Sequence, residues 1–171
     1  MELLKLMEER YSVRAYSQRE IEEEKLNRIL EAGRLAPTAK NNQPQHIYVL
    51  KSPEAVGKIR ALTRCAYNAP VVLAVAVDKS KEWNNPLEDG ITSGQQDAAI
   101  VATHMMLAAW ELGIGSCWVC YMAPTEVHDA FNLPENEQIA LLMPIGYPAD
   151  EAKPSPNHTS RKPVAETVTV L

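Results

Sequence analysis

The sequence of 171 residues lacks long apolar runs, clusters of basic residues and an abundance of cysteine. Its longest apolar run, residues 69–77, is far shorter than the roughly 20 residues of a transmembrane helix and suits a buried strand. A net charge of −5 without a block of lysine and arginine argues against nucleic acid or an anionic membrane as partner. The acidic first nine residues do not resemble a signal peptide, and three cysteines suit a reducing compartment. We therefore expect a cytoplasmic protein with a single domain over residues 1–171.

Several signatures of common chemistry are also missing. The sequence contains no G-x-G-x-x-G, no P-loop and no G-x-S-x-G, which argues against a dinucleotide fingerprint and a serine-hydrolase elbow. The four histidines are isolated from one another and from cysteine, so no metal site is predicted. Cys117-Trp118-Val119-Cys120 has the C-x-x-C spacing of a redox dithiol. Because it follows a predicted helix and a glycine-containing turn, a packing role is favoured, and thiol–disulfide exchange stays a remote alternative.

Helices and strands are mixed along the chain without a strict β-α-β alternation, which predicts an α+β fold. Helices are predicted over residues 2–9, 21–35, 53–62, 95–112 and 124–131, and strands over 46–50, 71–77, 116–119 and 138–145. Ser17-Gln18-Arg19-Glu20 has capping-box spacing and predicts the start of the second helix. The helix over 95–112 is apolar on nearly all sides, so we expect it to be buried against a sheet or a partner subunit. Residues 78–93 are polar and indicate a loop or lid.

The segment from 146 to 171 differs in character from the rest. Its four prolines disfavour regular structure, whereas residues 164–170 alternate apolar and polar side chains like a strand. A proline-stiffened arm that ends in a lone strand usually adds that strand to a sheet elsewhere. We therefore predict that the arm crosses to a partner subunit and adds residues 164–170 there as an edge strand.

The most informative local feature is the run Arg10-Tyr11-Ser12-Val13-Arg14-Ala15-Tyr16. If the run is extended, as its aromatic and β-branched residues indicate, Arg10, Ser12 and Arg14 point to one side. Two guanidinium groups and a hydroxyl suit a phosphate group. On its own this spacing is a weak signal, since paired surface arginines usually face water.

Further motifs follow in order along nearly the whole chain. They are Ala-Pro-Thr-Ala-Lys-Asn-Asn-Gln-Pro at 36–44, Leu-Gly-Ile-Gly-Ser-Cys-Trp at 112–118, Pro-Ile-Gly-Tyr-Pro at 144–148 and Arg-Lys-Pro at 161–163. With the basic run, these motifs resemble the nitroreductase family of FMN-dependent oxidoreductases. The chain is short for that family, and its 78–93 loop leaves little room for the helical lid of longer members. The resemblance implies a central mixed or antiparallel sheet surrounded by helices, in an intertwined homodimer with two FMN molecules at the interface.

The resemblance also implies a set of cofactor-binding residues. Arg10, Ser12 and Arg14 of the basic run would bind the phosphate and the ribityl or pyrimidine end of FMN, and Arg161 would also bind the phosphate. The 37–43 segment would approach the flavin ring from the other subunit, and residues 118–120 would line the ring, although family members often carry glycine where Cys120 stands. The full set is Arg10, Tyr11, Ser12, Arg14, Pro37, Thr38, Ala39, Asn41, Gln43, Trp118, Val119, Cys120 and Arg161.

The implied activity is transfer of a hydride from NAD(P)H through FMN to a small acceptor, such as a nitroaromatic or a quinone, by a ping-pong mechanism. No catalytic side chain is expected, because the flavin carries the redox chemistry. Reductive dehalogenation and flavin destruction on the same fold stay open, as does a non-catalytic flavin-binding or ligand-sensing module.

Overall fold

The computed structural model describes residues 2–171, which form five helices, four strands and three 3-10 turns. The helices are α1 (Leu3–Glu9), α2 (Glu23–Arg34), α3 (Pro53–Leu62), α4 (Gly94–Glu111) and α5 (Pro124–Ala130), and the strands are β1 (Gln45–Leu50), β2 (Val71–Asp78), β3 (Gly115–Ser116) and β4 (Glu137–Gly146). The 3-10 turns are Ala39–Asn41, Arg64–Ala66 and Val164–Glu166. Within residues 2–171, none of the helices has the length and hydropathy that crossing a bilayer demands.

The four strands form one sheet in the order β1-β2-β4-β3, and each pair is antiparallel. All eight residues of β2 are buried because helices cover both faces of the sheet. Val71, Leu73 and Val75 form one core with residues of α2 and α4. The side chains that alternate with them, Val72 and Ala74, pack in a second core with residues of α3 and α5. The α+β prediction with a helix-covered sheet is confirmed, and its strand pairing is antiparallel.

Helix α4 is the central helix of the first core. Its buried residues include Ala98, Val101 and Met105, which pack against α2 and the sheet. Burial against a sheet is therefore confirmed for this face of the helix. Ile100, on another face, is 38% exposed, and its cover by a partner subunit stays a prediction. The helix ends before Gly113, whose φ of +76° suits glycine in a C-terminal cap.

The capping-box prediction for the second helix is wrong. Helix α2 begins at Glu23, and its N-cap residue Glu22 makes no capping hydrogen bond through its side chain. Ser17 is instead tied to the end of β4, since its backbone N–H donates to the Tyr147 carbonyl at 2.9 Å. Its hydroxyl accepts a hydrogen bond from the Arg19 N–H at 3.4 Å, which closes a local turn. These contacts hold the segment outside the helix, so local spacing did not determine where the helix starts.

The prediction of a strand from residue 164 is wrong for its first part. Residues Val164–Glu166 form a 3-10 turn, in which the Glu166 N–H donates to the Pro163 carbonyl at 3.0 Å. A lone strand leaves its backbone polar groups unpaired, and the turn satisfies some of them within the arm. Val164 and Val170 are 73% and 93% exposed. Addition of the remaining arm to a partner's sheet stays a prediction.

Candidate functional site

The basic run is extended and is fixed to the sheet. The Val13 N–H donates to the Ser116 carbonyl at 2.9 Å, and Ser12 pairs with Ser116 of β3 in a parallel bridge. At the far end, the buried Tyr16 hydroxyl donates to the carbonyls of Val13 and Pro144, at 2.8 and 3.0 Å. Because Val13 points into the core, the alternation of an extended chain turns its neighbours Ser12 and Arg14 to the other side, where both line a cleft, as the sequence predicted.

The run forms one side of a cleft of about 360 Å³, and the C-terminal arm forms the other side. The lining residues are Arg10, Tyr11, Ser12 and Arg14 from the run and Ser155, Asn157, His158 and Arg161 from the arm. The arm folds into a turn in which the His158 N–H donates to the Ser155 carbonyl at 2.8 Å. The structure thus brings Arg161 to the basic run of its own chain.

The cleft concentrates positive charge, and no carboxylate of residues 2–171 is among its lining side chains. Within residues 2–171, the arginines that form salt bridges are Arg19 and Arg34, both outside the cleft. Arg14 donates to the Ser12 carbonyl at 3.3 Å, and Arg161 donates to two carbonyls of the arm at 2.5 and 2.8 Å. The pKa of Arg10 is lowered, mainly by burial and to a smaller extent by the positive charge of Arg161. Guanidinium groups held together in this way are stabilised by an anion, and their planar donor arrays match a phosphate.

A polar wall behind Arg14 was missed by the sequence analysis. Tyr67 occupies the left-handed region, with φ of 49°, and lies against Arg14 and Cys65. Burial first, and hydrogen bonding to Cys65 second, raise the pKa of Tyr67, while Arg14 opposes this shift. No motif marks Tyr67, because its contact with Arg14 depends on how the 63–69 turn packs against the run.

The C-x-x-C segment continues from β3 in an extended conformation. The N–H groups of Cys117 and Val119 donate to the carbonyls of Pro144 and Leu142, at 3.1 and 2.9 Å. Cys117 is buried, and burial raises the pKa of its thiol, which disfavours the reactive thiolate. Cys120 is exposed and accepts a hydrogen bond from the Trp118 indole at 3.2 Å. A dithiol that opens a helix is absent from this segment, which weakens the thiol–disulfide alternative.

Residues 118–120 lie outside the arginine cleft. Trp118 is half-buried and Val119 is buried beside β4, while Cys120 lines a separate depression of about 290 Å³ with Leu62 and Met122. Cys117 lies between these residues and the cleft. Arg14 and Ser12, which line the cleft, both act to lower the pKa of the Cys117 thiol against the larger effect of burial. The predicted contact of residues 118–120 with a flavin ring stays a prediction.

The 37–43 segment forms an exposed loop after α2. Its side chains Asn41 and Gln43 face solvent, and neither lines the arginine cleft. The Ala39 N–H donates to Asp97 Oδ1 at 2.9 Å, and the Gln43 N–H donates to Thr38 Oγ1 at 3.0 Å. One subunit therefore does not unite this loop with the basic run. The prediction that Pro37 and its neighbours reach the cofactor of the other subunit stays a prediction.

The arm residues Ser155, Asn157 and His158 were also missed. They surround Arg161 in the cleft, and the His158 ring lies 6.2 Å from the Tyr11 ring in an edge-to-face arrangement. A proline-rich segment has no periodicity that would mark which of its polar residues face inward. Of the arm residues that line the cleft, only Arg161 belongs to a motif that the sequence analysis identified, Arg-Lys-Pro at 161–163.

The comparisons with known proteins agree with this fold. The model of the Nitroreductase family matches residues 7–67 and 60–147. The crystal structure of a nitroreductase family protein from Clostridium difficile 630 is 37% identical, with a TM-score of 0.92 over 99% of this chain and 98% of that one. A nitroreductase-type structure from Desulfovibrio desulfuricans in complex with FMN is 27% identical, with a TM-score of 0.84 over 100% and 97%.

A relative from Archaeoglobus fulgidus carries the name of an NADH dehydrogenase/NAD(P)H nitroreductase. It is 34% identical over an alignment of 157 positions, and the alignment covers 88% of this chain and 87% of the relative. The family model extends over the basic run, the sheet and the long helix α4. The chain belongs to the nitroreductase family.

Proposed function

We propose that this protein is an FMN-dependent oxidoreductase that takes a hydride from NAD(P)H and reduces a small acceptor, such as a nitroaromatic or a quinone. We further propose a ping-pong mechanism and a cytoplasmic homodimer. The observation that carries the proposal is the cleft where Arg10, Arg14 and Arg161 meet without a carboxylate partner in residues 2–171. The NAD(P)H-linked name of the Archaeoglobus relative and the FMN complex of the Desulfovibrio structure support it.

The residues of the cleft fit the phosphate end of FMN. Arg10 and Arg161 would hold the phosphate with the hydroxyl of Ser12, since charge-assisted donors on two sides of a cleft match its oxygens. Asn41 and Gln43 are exposed carboxamides, which offer the donors and acceptors that the edge of a flavin ring requires. Bound FMN would supply the two-electron chemistry that the side chains of this chain cannot supply.

The task of the protein is binding and orientation. Arg14 is held by the Ser12 carbonyl and lies against Tyr67, so its guanidinium group has a defined place at the cleft. From there its positive charge favours a negatively charged ligand over a neutral one. Tyr11, whose ring lies edge-on to that of Trp110 at 5.2 Å, forms part of the cleft lining.

Flavin titrations with two ligands test the cleft. We expect Arg161→Ala to weaken FMN binding by about 10- to 100-fold, as expected for a charge-assisted hydrogen bond of roughly 1.5–3 kcal/mol. The same variant should bind riboflavin, which lacks the phosphate, as the wild type does. Arg34→Ala is the matched control, because that arginine pairs with Glu31 on the surface of α2. A protein that binds no FMN, or an Arg161→Ala variant with unchanged FMN affinity, contradicts the proposal.

Steady-state kinetics test the reaction. Oxidation of NADH or NADPH with a nitroaromatic or quinone should give parallel double-reciprocal lines at several acceptor concentrations, because donor and acceptor would use one site in turn. Intersecting lines would exclude the ping-pong mechanism, and no turnover would indicate a flavin-binding module. Cys117→Ser and Cys120→Ser should keep the activity, and its loss in both would favour thiol–disulfide exchange.

A further inference from the structure

Asp97, in the first turn of α4, joins two loops that are distant in sequence. Its side chain is buried, with the residue 2% exposed. One carboxylate oxygen accepts the Ala39 N–H at 2.9 Å, and the other accepts the Ser93 hydroxyl at 2.6 Å. Ser93 Oγ in turn accepts the Trp83 N–H at 3.1 Å. A continuous path of hydrogen bonds therefore connects the 38–43 loop, α4 and the 79–93 loop.

The position of Asp97 in α4 explains only part of this arrangement. An acidic residue in the first turn of an 18-residue helix is favoured by the helix dipole. The helix dipole does not explain why the Asp97 side chain is buried. It also does not explain why both carboxylate oxygens accept hydrogen bonds from groups outside the helix backbone. Burying a carboxylate is unfavourable unless its oxygens are hydrogen-bonded, and here the two loops supply the donors. The structure thus gives Asp97 a connecting role as well as a local one.

The 38–43 loop has a conformation that needs such support. Lys40, Asn41 and Gln43 have φ angles of 51°, 57° and 51°, in the left-handed region that is unfavourable for residues with a side chain. The internal hydrogen bonds of the loop include that from the Gln43 N–H to Thr38 Oγ1. Within the described chain, the bond from Ala39 to Asp97 is the one that ties residues 38–43 to another element. Unfavourable backbone angles persist only where the surroundings hold them.

We propose that Asp97 is a positioning residue for the cofactor site. It holds the 38–43 loop in the shape that presents Asn41 and Gln43, and through Ser93 it couples that shape to the 79–93 loop. This inference rests on the proposed function, in which Asn41 and Gln43 contact FMN. Asp97 itself lies beneath the loop and touches no ligand in this scheme.

The test compares three variants with a matched control in α4. Asp97→Ala removes both acceptors, whereas Asp97→Asn keeps an oxygen for the Ala39 N–H and places an amide donor towards Ser93. Ser93→Ala removes the hydrogen bonds of the Ser93 hydroxyl to Asp97 and Trp83 and keeps the Asp97 oxygen that accepts the Ala39 N–H. The control is Thr103→Ala, because the Thr103 hydroxyl donates to the Ala99 carbonyl at 2.7 Å within the same helix.

The first measurement is amide hydrogen exchange of the FMN-free protein, which needs no cofactor. We expect Asp97→Ala to speed exchange in residues 38–43 at least tenfold relative to the wild type, with a much smaller change in β2. Asp97→Asn should restore most of the protection, and Thr103→Ala should not alter it. Equal acceleration throughout the protein would show a general structural role and overturn the proposal.

The second measurement is FMN affinity, with kcat and KM for the reducible acceptor. We expect Asp97→Ala to weaken FMN binding about tenfold and Asp97→Asn to recover it to within about threefold. A loosened loop with normal FMN affinity and kinetics would overturn the positioning role and leave the proposed function intact. If the wild type binds no FMN, the proposed function fails, and the exchange data still decide the link between Asp97 and the loop.

Ser93→Ala keeps the proposal falsifiable if Asp97→Ala does not fold. Its expected effects are faster exchange in residues 80–93 and FMN binding that is weaker by two- to fivefold. Unchanged exchange in both loops together with unchanged FMN affinity would overturn the coupling.

Discussion

Substitution of Gly115 by alanine tests how firmly the basic run is seated on the sheet. A Cβ atom at Gly115 would lie 2.6 Å from Val13 Cγ2 and 2.9 Å from Val13 Cβ, where ordinary contacts begin at 3.4 Å. Val13 is fully buried and β-branched, so it cannot escape by a change of rotamer. The run itself would have to move by about 0.8 Å to restore a normal contact.

We expect a loss of about 1–2 kcal/mol in the free energy of unfolding. Overpacking of a core typically costs about 1–3 kcal/mol, and replacing glycine by alanine recovers up to about 1 kcal/mol through the unfolded chain. Flavin affinity should also fall, because Ser12 and Arg14 flank Val13 and would move with it. Urea denaturation and FMN titration measure the two effects at one fixed protomer concentration, since the proposed dimer would make stability depend on concentration.

A double mutant shows whether the clash with Val13 is the cause. Val13→Ala alone should cost about 2 kcal/mol through the loss of two buried methyl groups. Combined with Gly115→Ala, the loss should be about 1 kcal/mol smaller than the two single losses together, because the methyl groups at 2.6 and 3.1 Å are gone. Gly57→Ala in α3 is the control, since nothing lies within 4 Å of its added carbon. A Gly115→Ala variant as stable as the wild type, without coupling to Val13, would refute the reasoning.

Three further predictions concern the core, a histidine and the arm. Tyr16→Phe should lower the free energy of unfolding by about 1–2 kcal/mol in urea denaturation, because two buried carbonyls lose their donor; an unchanged midpoint would show that water replaces the hydroxyl. The pKa of His128 is raised above its ordinary 6.5, mainly by the hydrogen bond to Asp129. The stabilisation that protonated His128 provides should therefore be present at low pH and lost as the pH rises through the pKa of the folded state. An NMR titration should show that pKa falling in Asp129→Asn, and equal pKa values would contradict the assignment. Truncation after Pro148 should weaken both FMN binding and the dimer in flavin titration and light scattering; a truncated dimer with normal FMN affinity would make the arm dispensable.

Elements with strong local signals were predictable from the sequence. Helix α3 has the predicted bounds, Pro53–Leu62, because a proline at its first turn and the capping hydroxyl of Ser52 act within a few residues. The apolar run of residues 69–77 indicated a buried strand, and all eight residues of β2 are buried, since a short segment that is almost wholly apolar is stable only when it is covered. The alternation of Arg10, Ser12 and Arg14 likewise follows from extended geometry alone.

Tertiary structure decided which of these segments meet. The capping-box spacing at Ser17 indicated a helix start, yet the contact of Ser17 with Tyr147 holds that segment outside α2. Arg161 lies near Arg10 because of the path that the arm takes. Prolines restrict the conformation of the arm but do not determine where it packs. Asp97 belongs to no motif of the sequence, and only the fold showed that it binds Ala39 and Ser93. The sequence by itself determined local conformation and the chemical character of each segment, because those depend on near neighbours, whereas the cleft and the support of its loops arise from packing between residues that are distant along the chain.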